Sequence, residues 1–332
     1  MAAPEPIAPL PDLQQIRGLV ADDLVALDAT VRRELTTDVT LVADVAEYII
    51  GAGGKRLRPL LVLLVARACG CQDPRRVDAA AIIEFIHTAT LLHDDVVDGS
   101  SHRRGRETAN QRFGNQASVL VGDFLYSRSF QMMVRVGEMA VMGVMADATN
   151  TIAEGEVLQL INCGDPETTE TRYLQVIYRK TARLFEAGAE IAGILSGVAP
   201  DTLQALRDYG RHLGTAYQLA DDALDYTGDP AALGKDVGDD LAEGKPTLPL
   251  IVAMRDGDAA TRDLIRDAIS AGGTGDIQAV LAALAATGAI EATMAMAGRE
   301  AAAARSALSA LPASPMRDAL AELATMAVAR SG

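Results

Sequence analysis

The stretch that decides the fold is VDAAAIIEFIHTATLLHDDVVD, Val77 to Asp98. Its apolar residues recur at helical spacing, and it contains no Gly or Pro that would interrupt a helix. We therefore predict one long helix from Val77 to Val97, which Gly99 and the two serines after it bring to an end. Three aspartates lie in and just after the last turn of this otherwise apolar helix.

These aspartates follow the pattern Asp-Asp-x-x-Asp, which occurs again further along the chain, also after an apolar helical run. Asp94 and Asp98 share a helix face, and like charges this close oppose folding unless a cation is bound. A solvated acidic helix end is the alternative explanation for a single such cluster. Oxygen ligands without Cys favour a hard ion such as Mg²⁺, which commonly combines carboxylates with substrate phosphates. The predicted metal ligands are Asp94, Asp95, Asp98, Asp221, Asp222 and Asp225.

The composition favours an all-α protein. Of 332 residues 49% are hydrophobic, yet only 4% are aromatic, as expected for helices packed with aliphatic side chains. We predict a single all-α domain over residues 1–332, with residues 1–15, which are rich in proline, as a loose N-terminal arm. A formal charge of −15 disfavours nonspecific binding to nucleic acid or to an anionic bilayer.

Three cysteines are too few for a disulfide framework or a structural zinc site. The N-terminus lacks the pattern of a secretory signal. The longest apolar run, Leu60 to Ala66, is far shorter than the about 20 residues that cross a bilayer. We therefore expect a cytoplasmic protein with no transmembrane segment.

Further helices are predicted from periodicity, with no convincing strand and with a polar stretch at 228–246. The Ala-rich C-terminal quarter, which includes AAAARSALSAL at 301–311, is expected to pack as amphipathic helix. The other predicted helices are Leu41–Ile50, Pro59–Cys69, Ala117–Val144, Ala148–Asn162, Glu170–Ser196, Pro200–Tyr226 and Thr247–Met254.

Basic residues indicate a second anion site. Lys55, Arg56 and Arg58 lie at or just before a predicted helix N-terminus, where backbone amides also attract anions. His87 is two turns before Asp94 on the same helix face, although a lone His on an apolar helix is more often structural. Taken alone, the later polar residues are more typical of an ordinary surface. These are Lys180, Thr181, Gln218, Lys235 and Lys245.

Several ordered motifs resemble the trans-polyprenyl diphosphate synthase family, most closely its octaprenyl diphosphate synthase branch. They span about Tyr48 to Met254. The motifs are GGKRLRP at Gly53–Pro59, FIHTATLLHDDVVD at Phe85–Asp98, Arg103-Arg104-Gly105, VGDFLYSRSFQMM at Val121–Met133 and GKPTLPL at Gly244–Leu250.

This resemblance implies the isoprenoid synthase fold, with helices around a deep central cavity, and a homodimer. It implies three Mg²⁺ ions when substrate is bound. The implied direct ligands are Asp94, Asp98 and Asp221, while Asp95, Asp222 and Asp225 ligate or orient metal-bound water. Isopentenyl diphosphate is expected at Lys55, Arg58, His87 and Arg104. The allylic diphosphate is expected at Arg103, Lys180 and Lys235, with Thr181 and Gln218 near the forming carbocation.

The product length is predicted from the residues beneath the first aspartate cluster. Ala89 and Thr90, about one turn before Asp94, are small where short-chain relatives carry a bulky aromatic residue, so the pocket stays open there. The floor would then lie deeper, near Ile86 or among Phe130, Met132 and Met133. We predict a product near C40, made from an allylic primer such as farnesyl diphosphate, for a quinone side chain. Release of so apolar a product implies transient membrane contact.

Two other functions fit parts of this pattern. A terpene cyclase would use an aspartate-bound magnesium site but would need no second diphosphate site. A noncatalytic subunit that regulates a partner synthase would be expected to have lost one aspartate cluster or the basic loop. Both clusters and the basic loop are present here, which favours condensation.

Overall fold

The longest apolar run of the sequence, Leu60 to Ala66, lies in a helix that is buried on every side. In the computed structural model all seven of these residues are 0% exposed. A helix that is apolar all round belongs in the centre of a protein. This one packs against the helices Arg75–Val97, Arg183–Leu195 and Pro315–Val328. It forms the centre of the main hydrophobic core.

The structure describes residues 12–51, 54–103, 105–227, 237–272 and 277–329, and these are mostly helical, which confirms the all-α class. Helices of the first half are α1 Leu13–Gly18, α2 Ala21–Glu34, α3 Thr40–Gly51, α4 Leu57–Ala68, α5 Arg75–Val97, α6 Ala109–Phe113, α7 Asn115–Val136 and α8 Met139–Asn162. Those of the second half are α9 Glu170–Ile177, α10 Arg183–Leu195, α11 Pro200–Thr227, α12 Asp239–Ala242, α13 Leu248–Asp256, α14 Ala259–Ala271, α15 Ile277–Thr287, α16 Ala289–Ala307 and α17 Pro315–Val328. The predicted loose arm lies outside the described residues up to residue 11, and Leu13 already begins α1.

The predicted helix Ala117–Val144 has the wrong C-terminal end, because α7 ends at Val136 and a new helix begins at Met139. Gly137 adopts a left-handed conformation with φ 70°, and its amide donates to the Met133 carbonyl, which caps α7. Glu138 then caps the start of α8 by accepting a hydrogen bond from the Ala140 amide. A glycine at this position can take a backbone conformation that other residues avoid, so the break falls there.

Two further local features were not predicted. A short antiparallel ladder pairs β1 (His102–Arg103) with β2 (Arg106–Glu107), and Gly105 in its turn has φ 71°. Tyr48 holds this hairpin in place, since its hydroxyl donates to the Glu107 carbonyl at 2.7 Å. The predicted helix Glu170–Ser196 is continuous but contains a π turn at Tyr178–Ala182. Such turns are rare and often lie at functional sites.

Helix α11 joins two hydrophobic cores. Its first half contributes Leu206, Tyr209 and Leu213 to the main core around α4. Its second half contributes Leu219 and Tyr226 to a smaller core built with α9 and α13–α16. With 28 residues it is roughly 40 Å long, so one rigid element spans both cores. The second aspartate cluster lies on the half that belongs to the smaller core.

The Ala-rich C-terminal helices pack as predicted. In α16, Ala297, Ala301 and Ala304 recur at helical spacing and are 0% exposed against α11. Across the described ranges, no single helix has the length and apolar character needed to cross a bilayer; Ile277–Thr287 and Ala289–Ala310 reach it only as a pair, bent by 62°.

Helices α10 and α11 cross with their backbones nearly in contact. A Cβ atom added to Gly210 would lie 2.6 Å from the Phe185 carbonyl oxygen, and one added to Gly214 would lie 2.6 Å from the Ala182 Cα. Both distances are below any normal contact, and backbone cannot move aside as a side chain can. Gly210 therefore lets α11 press against the first turn of α10, and Gly214 lets it press against the π turn.

We expect Gly210→Ala to lower the free energy of unfolding by roughly 1–3 kcal/mol, the usual cost of overpacking. Gly298→Ala provides the matched control, because no atom lies within 4 Å of a Cβ added at that helical glycine. The control should raise the free energy of unfolding by roughly 0.5–1 kcal/mol, since Ala is the better helix former. Urea unfolding followed by circular dichroism measures both values, and equal effects would contradict the close crossing.

Candidate active site

The loop before α4 and one face of α5 border a cleft of about 880 Å³, including its open mouth, which we call the basic cleft. Lys55, Arg58 and His87 all line it, as the sequence predicts for an anion site. Arg58 Nη1 lies 3.0 Å from His87 Nε2, and the Arg58 guanidinium stacks 4.5 Å from the centre of the Phe185 ring. The fourth predicted member, Arg104, lies outside the described residues.

Arg56 also lines the basic cleft, and its backbone and ion pairs shape the loop before α4. Its φ of 45° is left-handed, which a non-glycine residue adopts only at a cost. Its guanidinium is paired with Asp28 on α2 and lies 4.0 Å from Glu84 on α5. These ion pairs hold the turn that places Lys55 before α4 and Arg58 in its first turn.

In the first aspartate cluster each carboxylate is paired with a different cation. The pairs are Asp94 with Lys180 (3.5 Å), Asp95 with Arg103 (2.7 Å) and Asp98 with Lys245 (2.9 Å). The three cations come from the π turn, the β1–β2 hairpin and the segment after α12. Elements distant in sequence therefore meet at the end of α5, where their charges offset the repulsion among the aspartates.

Two of these cations have a second acidic partner that sequence reasoning missed. Lys180 Nζ lies 2.7 Å from Glu156 of α8, and Lys245 also pairs with Glu243. Burial raises the pKa of Glu156 to about 7; the charge of Lys180 opposes this shift, and that of Asp94 adds to it. Burial alone would lower the pKa of Lys180, but the charges of Asp94 and Glu156 outweigh it and raise that pKa. Nothing in the local sequence distinguishes Glu156 from an ordinary acidic residue on a largely exposed helix.

Exposure separates the aspartates into two groups. The side chains of Asp94 and Asp98 are 15% and 16% exposed, and Asp221 is also half-buried. Asp95, Asp222 and Asp225, in contrast, are buried at 5%, 3% and 0% exposure. The family resemblance implies that the first group binds metal directly and that the second ligates metal or orients metal-bound water.

The second cluster is connected to the π turn by a chain of hydrogen bonds. Thr181 Oγ1 donates to Gln218 Oε1 at 2.8 Å, and Gln218 Nε2 donates to Asp222 Oδ1 at 2.7 Å. The Tyr173 hydroxyl donates to the other Asp222 oxygen at 2.5 Å. Burial nevertheless raises the pKa of Asp222 well above its usual range, and the charge of Asp240 adds to the shift. A nearby cation would therefore favour the ionised form of this buried carboxyl.

Lys180 and Lys245 also border a second cleft of about 610 Å³, which we call the aspartate cleft. Asp222 and Asp240 form part of its wall. The same lysines contact Asp94 and Asp98, so the first aspartate cluster lies beside the cleft that Asp222 of the second cluster lines. Thr181 and Gln218 line it as well, and Lys235 lies outside the described residues.

The donors at this opening fit a hard divalent cation that arrives with an anion. In the part of the chain that the structure describes, no three His, Cys, Asp or Glu side chains already surround a single metal position. Magnesium usually takes one or two carboxylates and completes its shell with waters and substrate phosphates. Burial raises the pKa of Asp95 as it does that of Asp222, with Arg103 opposing the shift, so a bound cation would favour ionisation of both.

The residues predicted to measure product length line neither of the two clefts. Ala89 and Ile86 are 0% exposed in the main core, and neither residue lines the basic or the aspartate cleft as described. Thr90 is half-buried and donates its hydroxyl to the His87 carbonyl at 2.9 Å. Met132 and Met133 of α7 are buried in the same core. The position of the pocket floor stays a prediction.

Comparison with known proteins matches this geometry to one family. The sequence profile of the family described as polyprenyl synthetase matches residues 39–286. The chain is 56% identical over 261 residues to an octaprenyl diphosphate synthase of Escherichia coli strain K12, covering 79% of this chain and 81% of that protein.

Two solved structures share the whole architecture. A decaprenyl diphosphate synthase from Rhodobacter capsulatus superposes with a TM-score of 0.91 at 46% identity, covering 96% of this chain and 98% of that one. A polyprenyl synthase from Caulobacter crescentus CB15, complexed with calcium and isoprenyl diphosphate, superposes with a TM-score of 0.94 at 41% identity, covering 98% and 100%.

These matches confirm the resemblance drawn from the motifs and the fold it implied. They also confirm the prediction of an enzyme, because the similar proteins are prenyl-transferring synthases of long-chain type. The chain is therefore a prenyltransferase that belongs to the polyprenyl synthetase family.

Proposed function

We propose that this chain condenses isopentenyl diphosphate repeatedly onto an allylic diphosphate and makes a trans-polyprenyl diphosphate near C40. The observation that carries this proposal is the pairing of two different anion sites, a basic cleft with Lys55, Arg58 and His87 and an aspartate cleft with lysines and carboxylates. A condensing enzyme needs both sites, whereas a terpene cyclase needs only the second. The similarity to an octaprenyl diphosphate synthase supports the product class.

The two clefts divide the substrates between them. Isopentenyl diphosphate is assigned to Lys55, Arg58 and His87, with Arg104, since a diphosphate with no metal partner requires cationic side chains. The allylic diphosphate is assigned to the aspartate cleft beside Lys180, with Arg103 and Lys235. Tyr217 lines the basic cleft and the next residue of α11, Gln218, lines the aspartate cleft, so we place the reacting carbons beside this pair.

The proposed cofactor is Mg²⁺, three ions with substrate bound, held by Asp94, Asp98 and Asp221, with Asp95, Asp222 and Asp225 behind them. Bound there, the metal would supply charge stabilisation for the departing diphosphate. The similar Caulobacter protein was crystallised with calcium and isoprenyl diphosphate, which supports a divalent cation beside a diphosphate.

The chain's own residues would orient and stabilise the reacting groups. Lys180 and Arg103 would donate hydrogen bonds to oxygens of the leaving diphosphate, each from its place beside the first aspartate cluster. The oxygen atoms of Thr181 and Gln218 lie where they would face positive charge developing on the allylic carbons. The aromatic rings of Phe185 and Tyr217 would help to exclude water, which would otherwise quench a carbocation.

Purified protein incubated with isopentenyl diphosphate, farnesyl diphosphate and Mg²⁺ should yield a main product near C40, sized after dephosphorylation. Asp94→Ala and Asp221→Ala should each abolish product while leaving the helical circular dichroism spectrum unchanged. Asp201→Ala, at an exposed aspartate in the first turn of α11, is the control and should keep full activity. Full activity in either cluster variant would refute the metal assignment. Activity that appears only with a second protein would favour a regulatory subunit.

Product length tests the predicted position of Ala89 and Thr90 at the pocket wall. Ala89→Phe or Thr90→Tyr should shorten the main product, because a bulky side chain there would block the growing chain beneath Asp94. Val25→Phe is the control at a position 71% exposed on α2. Chromatography of the dephosphorylated products reads the result. An unchanged length in variants that fold normally would mean that the chain grows along another path.

We also propose a homodimer formed through α7 and α8. Large apolar side chains are exposed along these consecutive helices, an arrangement that is costly in water and typical of an interface. They are Leu120 64%, Val134 66%, Met139 76%, Val157 57%, Leu160 63% and Ile161 62% exposed.

Replacing Leu120 and Leu160 together by Glu should convert the dimer to a monomer, because burying two charges per subunit without partners opposes association. Sedimentation velocity measures the change. Val25→Glu is the control, since Val25 is exposed on α2, away from the proposed interface. A wild-type protein that sediments as a monomer would contradict the proposal directly.

The cellular setting of the enzyme is part of the proposal and rests on the sequence. A cytoplasmic enzyme would pass a long apolar product to a membrane through transient contact. A product of this length suits the side chain of a quinone.

A further inference from the structure

Lys180 lies between two carboxylates and is closer to the one outside the aspartate clusters. Its Nζ is 2.7 Å from Glu156 Oε2 but 3.5 Å from Asp94 Oδ2. The first distance is a charge-assisted hydrogen bond and the second is only an ion pair. Glu156 thus holds the Lys180 ammonium near Asp94, the proposed metal ligand, but beyond hydrogen-bond distance from it.

The fold enforces this contact. Glu156 follows Gly155 on α8, and a Cβ atom added to Gly155 would lie 2.7 Å from Arg179 Cβ and 2.8 Å from the Lys180 amide nitrogen. Helix α8 therefore presses against the π turn at the point where Lys180 leaves it. This close approach brings the carboxylate of Glu156, the next residue of α8, within hydrogen-bond distance of the Lys180 ammonium.

Burying the ionised carboxylate of Glu156 at this position has a free-energy cost. Burial disfavours the ionised form of Glu156, the charge of Lys180 opposes that effect, and the charge of Asp94 adds to it. Glutamine has nearly the same shape and no charge, so it would avoid the cost of burying an ionised group. Its amide group would bind the ammonium less strongly, and Asp94 would become the strongest remaining partner of Lys180.

We propose that Glu156 is a positioning residue that keeps Lys180 off Asp94, so that Asp94 stays available to the divalent cation. The inference rests on the proposed function, because it concerns the metal carboxylate of that same site. Without Glu156, an ion pair between Lys180 and Asp94 would tighten and would have to break before metal could bind. Metal binding would weaken, while the basic cleft would be unaffected.

The test is calorimetric titration of Mg²⁺ into the full-length protein saturated with farnesyl thiolodiphosphate, an allylic analogue that ionises very slowly. Glu156→Gln should raise the Mg²⁺ dissociation constant roughly three- to tenfold, the scale of one partly desolvated ion pair. The KM for isopentenyl diphosphate should stay unchanged. Glu154→Gln is the control, because Glu154 lies two residues earlier on α8 and pairs with Arg179 at the surface.

A background variant separates positioning by Glu156 from the general effect of its negative charge on a nearby cation. In Lys180→Met, adding Glu156→Gln should cause no further loss of Mg²⁺ affinity, because no ammonium remains to compete. A further loss of the same size in that background would overturn the inference, as would an unchanged affinity in Glu156→Gln alone or an equal loss in Glu154→Gln.

Two other results have defined meanings. If Glu156→Gln does not fold, Glu156→Asp carries the test, because a shorter side chain weakens the hold on Lys180 and should change the affinity in the same direction. An unchanged affinity in that variant would then overturn the inference. Failure of the wild-type protein to bind Mg²⁺ with the analogue would overturn the proposed function itself.

Discussion

The repulsion among carboxylates crowded at two helix ends is the constraint on which the rest of the site depends. Asp94, Asp95 and Asp98 lie within a single turn, and Asp95 is almost completely buried. The fold meets this cost by bringing one cation to each of them. Those cations come from three separate elements, so the charge balance of the site also fixes where the elements lie relative to α5.

Helix packing supplies the precision that charge alone cannot. Gly214 lets α11 approach the π turn until backbones nearly touch, Gly210 does the same at the start of α10, and Gly155 lets α8 approach the π turn. The π turn therefore packs between α8 and α11. Thr181 reaches Gln218 on one side and Lys180 reaches Glu156 on the other. The proposed carbocation chemistry would benefit from groups that cannot shift.

The sequence predicts most of the residues proposed for the site, but not their partners. The aspartate clusters were recognisable because repeated carboxylates after an apolar helical run are unfavourable without a cation. Lys245 was indistinguishable from a surface lysine, and only the structure places its ammonium 2.9 Å from Asp98. Glu156 had no local signal either, because its function depends on Lys180, 24 residues away. The early break at Gly137 was missed because helical periodicity continues across it.

Local patterns by themselves determined the helical class, the two aspartate clusters and the basic loop. Each depends on neighbours within a few residues, through helical spacing, glycine stops or charge crowding. The tertiary structure alone decided which cation pairs with which carboxylate, which aspartates are buried, and how α11 connects the two cores. Those outcomes depend on contacts between residues far apart in the chain, and no local pattern encodes the distances between them.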